Sequence, residues 1–245
     1  EIGLLLAGAA PVSSAATMLL RNAHFQRTVV LAGTSVGLLG YVFKQQSQRN
    51  LEEVAPRRTD AELCSLMCSA VNGMCDVPGS ESGVLYLAPV PRDAPAASSA
   101  ALPKLLSKSI VFTLSASDAL GIERSPEENH AANLALEEEI HKLRRPCTPR
   151  ARWRSFAFDA EKGWREDGFC VAFGTEEKGY AKVTMVRLAQ QFKQPTMLQY
   201  SVKEGQLVRE MVWIDPQKQT ALGAHETPVA IVPPAATALA ARGGW

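Results

Sequence analysis

Ser109–Ala116 reads SIVFTLSA. β-branched and aromatic residues in an apolar run are the composition of a strand. Outward from it the pattern stays regular. Ser125 stands as the cap of a helix, with Pro126 in its first turn and Glu127 and Glu128 near its positive end, and the apolar spacing continues to about Lys142. Trp153–Asp159 and Gly168–Phe173 read as strands, and Glu176–Phe192 as an amphipathic helix. Thr196–Val202 and Leu207–Ile214 close the series as two strands joined by a turn at Glu204-Gly205. The order predicts an α+β domain over 105–215. Its expected form is a small two-layer α/β sandwich, a mostly antiparallel sheet with two helices on one face.

The same stretch carries a family pattern. Thr113 lies in the first strand; Ser125, Asn129 and Leu136 follow with the spacing S-x-x-x-N-x-x-x-x-x-x-L; Trp164, Glu166 and Gly168 make W-x-E-x-G; and the second helix ends in Phe192-x-Gln194. In order and spacing this resembles the bacterial domain-of-unknown-function family 3293, across roughly Ser109–Ile214. Where that family places Asn-Pro after the first strand, this chain has Ser117-Asp118. The resemblance implies a fold and no activity. Asn129, Trp164, Glu166 and Gln194 are the candidate pocket, converging at one end of the sheet. The plainer reading makes Asn129 and Gln194 pins for loop backbone and Trp164 a core residue. No glycine-rich phosphate loop is present, nor a Ser-His-Asp order. His130 and His141 lack metal-ligand spacing, and Glu137, Glu138 and Glu139 read as a solvated face. No catalytic, cofactor or metal residue is assigned, and the expectation is a protein without enzymatic activity of its own.

Around this core the chain reads as connecting material. Thr59–Met74 predicts a short helix capped by Thr59 or Asp60, placing Cys64, Cys68 and Cys75 on nearly one side. Their C-x3-C-x6-C spacing is not that of a zinc turn, and three small buried thiols are the expectation. Five cysteines in all do not make a disulfide framework. Residues 44–104 are expected to be a connecting region ending in a Pro/Ala-rich linker, and 216–245 an extended tail broken by Pro228, Pro233 and Pro234. The run Lys142–Arg154 holds six cations: Lys142, Arg144, Arg145, Arg150, Arg152 and Arg154. It is a candidate contact for a partner protein or an anionic lipid such as cardiolipin, set against a plain solvated loop. A formal net charge of +1 argues against nucleic acid as the main partner.

Thr28–Phe43 (TVVLAGTSVGLLGYVF) has sixteen residues without a charge, bracketed by Arg21, Arg27, Lys44 and Arg49. Extended back to residue 23 it predicts a single transmembrane helix, 23–43, of the length a bilayer needs. Gly33, Gly37 and Gly40 fall along one side and suit packing against another membrane helix. Residues 1–22 form a further apolar segment, read either as a second span or as a surface element. Excess basic residues after the span place the domain on the matrix side of a mitochondrial inner membrane, with a thylakoid membrane as the alternative. A chain opening on Glu1 fits an imported, processed protein. Together these readings predict a non-catalytic accessory subunit of a respiratory-chain or ATP synthase complex, partnered by other subunits and membrane lipid. The alternatives are a membrane-tethered ligand-binding or enzymatic domain and an RNA-facing protein.

Overall fold

SIVFTL is buried along its whole length because it has something packed on each face. The computed structural model describes residues 57–81, 83–91, 93–144 and 147–233. In it β3 (Ser109–Leu114) points Val111 into the interior of a barrel and Ile110, Phe112 and Leu114 out against two helices. The strands are β1 (Val71–Cys75), β2 (Val84–Pro89), β3, β4 (Ala151–Asp159), β5 (Trp164–Gly174), β6 (Thr196–Lys203), β7 (Gln206–Trp213) and β8 (His225–Val232). They close in the order β1-β2-β8-β7-β6-β3-β5-β4, every neighbouring pair antiparallel.

The helices are α1 (Asp60–Ser69), α2 (Lys104–Ser107), α3 (Pro126–Lys142), α4 (Lys178–Gln191) and α5 (Pro216–Leu222). α3 and α4 bury Leu136, Ile140, Ala181 and Met185 against the outer faces of β3 and β5. Ser125 caps α3 through a reciprocal pair with Glu128, with Pro126 at the first turn. Inside the barrel, Leu102 and Leu106 join the core from α2 and the turn before it, and Leu63 joins from α1.

The expected two-layer sandwich is therefore corrected to a closed eight-stranded barrel. Two helices do cover one side of an antiparallel sheet, but that sheet has no free edges. β8, β2 and β1 fill the gap between β7 and β4, and all three lie in segments read as helix, linker or tail. The predicted helix Thr59–Met74 stops at Ser69, and Val71–Cys75 is a strand. Val84–Pro89 is a strand entering the supposed linker, and His225–Val232 is one inside the supposed tail. Pro228 is tolerated because β8 changes neighbours beside it: residues 225–228 pair with β7, and 229–232 with β2. At the β1–β4 seam a side chain on Gly73 would meet the Phe156 ring at 2.2 Å, so glycine is what lets that ring lie across β1.

Among the described residues no helix is long and apolar enough to cross a membrane. The span expected at 23–43, with Gly33, Gly37 and Gly40, and the apolar segment 1–22 lie outside the described residues.

Candidate functional site

One end of the barrel is built from polar parts. There β3 ends at Leu114, β4 turns into β5 with Asp159 opposite Trp164, and β6 begins at Thr196. The loop leaving β3, Ser115–Asp118, is held from three directions. Asn133, buried on α3, accepts from Ala116 N at 2.9 Å and donates to Ser117 Oγ at 3.0 Å and to Asp167 O at 3.1 Å. Asn129, one turn earlier, exchanges two 2.9 Å bonds with Asp118, accepting from its N–H and donating to its carboxylate. Gln194 Nε2 donates to Ser117 O at 2.7 Å. The loop needs this support. Asp118 sits at φ 44 and Leu120 at φ 63, a left-handed conformation that Asp tolerates and that strains a branched side chain such as Leu.

Two spaces adjoin the loop. Outside is a cleft of about 370 Å³, whose lining includes Arg58, Asp118, Asn129, His130, Trp164 and Arg165. Its charges are largely matched. Arg58 Nη1 donates to Asp118 Oδ2 at 3.2 Å, and Arg165 donates twice to Asp167 Oδ1 at 3.0 and 2.8 Å. Arg165 also lies 4.1 Å above the Phe156 ring centroid. Inside is a cavity of about 40 Å³ lined by Ser115, Glu166, Gln194 and Thr196, room for a water-sized group. Arg58, Asp118 and Trp164 line both the cleft and a narrow crevice that reaches Glu166.

Glu166 is the most perturbed acid here. Burial raises its carboxyl from 4.5 to about 7; the Ser115 hydroxyl and Arg58 pull it down, and Asp118 and Asp167 push it up. Beside it, Trp164 Nε1 and Thr196 Oγ1 are buried and have no hydrogen-bond partner among the described residues. Both line the Glu166 crevice.

All four candidate pocket residues thus stand around one loop, with Asn129 and Trp164 on the cleft side and Glu166 and Gln194 on the cavity side. Asn129 and Gln194 hold backbone, and Trp164 packs against Leu66 and Ala70 while walling the cleft. Arg58, Asp118 and Asn133 are site residues that sequence reading missed. Asn133 had a signal, its four-residue spacing from Asn129 on one helix face. Arg58 had none, since it arrives from the approach to α1, sixty residues before Asp118.

The basic run is largely engaged within the chain. Lys142 pairs with Glu139 and Arg150 with Glu176; Arg154 lies 3.9 Å from Glu137. Arg144 and Arg152 donate to carbonyls at the end of α3. Arg145 lies outside the described residues.

The three thiols expected on one helix side are divided. Cys75 is on β1, beside the Tyr86–Phe156–Phe158 cluster. Cys64 and Cys68 remain together on α1, their sulfurs 3.8 Å apart. Burial, then the neighbouring Cys64 sulfur, push the Cys68 thiol up to about 11. His225, at the start of β8, joins this pair: one ligand atom from each of the three lies within 4.8 Å of the others.

Residues 114–197 match the family model described as Protein of unknown function (DUF3293). The match runs from the end of β3 into the start of β6. It contains the Ser115–Asp118 loop and Asn129, Asn133, Glu166 and Gln194, and it omits β1, β2, β7 and β8. No curated protein and no solved structure matches the chain.

Proposed function

We propose that the barrel is a binding module for a small polar molecule seated in the mouth cleft. Asn129, Asn133 and Gln194 are occupied in holding the loop. The groups left for a ligand are the Glu166 carboxyl, Trp164 Nε1 and Thr196 Oγ1. The observation that carries the reading is their convergence: two buried polar atoms without partners among the described residues, beside an acid raised to about 7. A polar tip passing between Arg58 and Trp164 meets the Glu166 carboxyl, which donates when protonated and accepts when ionised. The matched charges of the cleft favour a neutral or zwitterionic ligand over a polyanion. Thermal unfolding of the full chain against free amino acids, nucleosides and small dicarboxylates tests this. At least one compound is expected to raise the wild-type midpoint, with the rise lost in Glu166→Gln and Trp164→Phe. No response from any class overturns the reading.

A second reading, an accessory subunit of an organellar membrane complex, rests on the sixteen uncharged residues Thr28–Phe43. Native electrophoresis after gentle solubilisation tests it. Migration as a free monomer refutes it.

A further inference from the structure

None of Cys64, Cys68 and His225 lines the cleft or the Glu166 crevice, so what they do is separate from ligand binding there. Cys64 and Cys68 are four apart on α1 and project from one face. Their sulfurs are 3.8 Å apart. Two thiolates, each about 2.3 Å from one tetrahedral zinc, stand about 3.8 Å from each other, so this spacing needs no adjustment. The imidazole is within 4.8 Å of both sulfurs. A zinc-bound nitrogen would sit about 3.6 Å from each sulfur, a difference that a small rotation of the His225 side chain covers.

The elements carrying the ligands are fixed. α1 is capped at Thr59. At its other end the buried Arg209 guanidinium donates to Cys68 O at 2.8 Å and Ala70 O at 2.7 Å. Lys218 on α5 pairs with Asp60 on α1, tying the segment before β8 to the helix that bears the cysteines. Gly223, at φ 75, turns the chain out of α5, and His225 enters β8 opposite Met211. Ligands on a helix and a strand hold geometry better than ligands on loops. All three side chains are half-buried, and two thiolates cancel the charge of a divalent ion, so the filled site is neutral where a net charge would be costly.

We propose that Cys64, Cys68 and His225 hold one zinc ion, bound by two thiolates and an imidazole with a fourth position left for water or an exogenous ligand. The donor set is the soft-plus-borderline combination that selects zinc over calcium, magnesium or manganese.

The test uses the reduced, chelator-stripped full chain, titrated with zinc against a chromophoric competitor and, separately, with cobalt(II). One equivalent of zinc is expected, and cobalt should give the visible bands of a tetrahedral site with sulfur-to-metal charge transfer. Cys64→Ser and Cys68→Ser should each weaken zinc by roughly a hundredfold and remove the charge-transfer band, and His225→Ala by at least about tenfold. Cys75→Ser should bind as wild type does. The cobalt spectrum of the unmutated chain keeps the test open should a serine variant fail to fold. Absence of stoichiometric zinc, an octahedral cobalt spectrum, equal loss in Cys75→Ser, retention of copper(I) but not zinc, or a chain that only oxidises to a Cys64–Cys68 disulfide each overturns the proposal.

Discussion

Glu166→Gln isolates the electrostatic cost built into the barrel mouth. The carboxyl's ordinary value is 4.5, and burial raises it to about 7 in the folded protein. Between those values the folded state holds a proton that the unfolded chain has released. The stabilisation from that proton is fully present below about pH 4.5 and is lost as pH rises through about 7. At about 1.4 kcal/mol per pH unit, the interval corresponds to about 3 kcal/mol. A glutamine has nearly the same shape and carries no charge at any of these pH values. The stability of wild type minus that of Glu166→Gln should therefore fall by about 2–3 kcal/mol between pH 5 and pH 8. Urea unfolding followed by tryptophan fluorescence reads it, because the other carboxylates titrate in both proteins and cancel in the difference. Asp118 and Asp167 push the carboxyl up and Arg58 pulls it down, so Asp118→Asn should shallow the wild-type slope and Arg58→Met steepen it. Parallel profiles for wild type and Glu166→Gln would refute the claim that this carboxyl is buried against its own ionisation.

Gly168→Ala would place a Cβ 2.5 Å from Leu114 O and 3.1 Å from Ser115 Cα; neighbouring backbone cannot swing aside as a side chain can, and a loss of about 1–3 kcal/mol is expected in denaturant unfolding. Arg209→Met removes the guanidinium of a residue that is 2% exposed and leaves Cys68 O, Ala70 O and Asn72 Oδ1 short of a donor, so about 2–4 kcal/mol should be lost, and amide exchange should quicken at the end of α1. Thr59→Ala breaks the reciprocal cap with Glu62 and should cost about 1 kcal/mol, read from the thermal midpoint.

Local chemistry was legible wherever neighbours in sequence decide the conformation. Ser125 with Pro126 and Glu128 announces the start of α3 because the capping partners are three residues apart. Glu204-Gly205 announces the β6–β7 hairpin because both residues take positive φ, 51 and 78. The loop pins Asn129 and Gln194 were also among the candidates, since their positions in the family pattern singled them out. β1, β2 and β8 were not legible. Val71–Cys75 continues the apolar spacing of α1, and Pro89 and Pro228 suggest that β2 and β8 are not strands at all.

The amino-acid sequence by itself determined the helices over 126–191, the strands that flank them and four of the residues at the mouth, Asn129, Trp164, Glu166 and Gln194. Tertiary structure alone decided that the sheet closes, that α1 stops at Ser69 and that His225 reaches Cys64 and Cys68. Arg209, 139 residues beyond Ala70, holds the end of that helix through its carbonyls. Barrel closure brings β8 between β2 and β7. Both are long-range pairings, whose stabilisation comes from groups that only the folded chain brings together, and no local pattern encodes them.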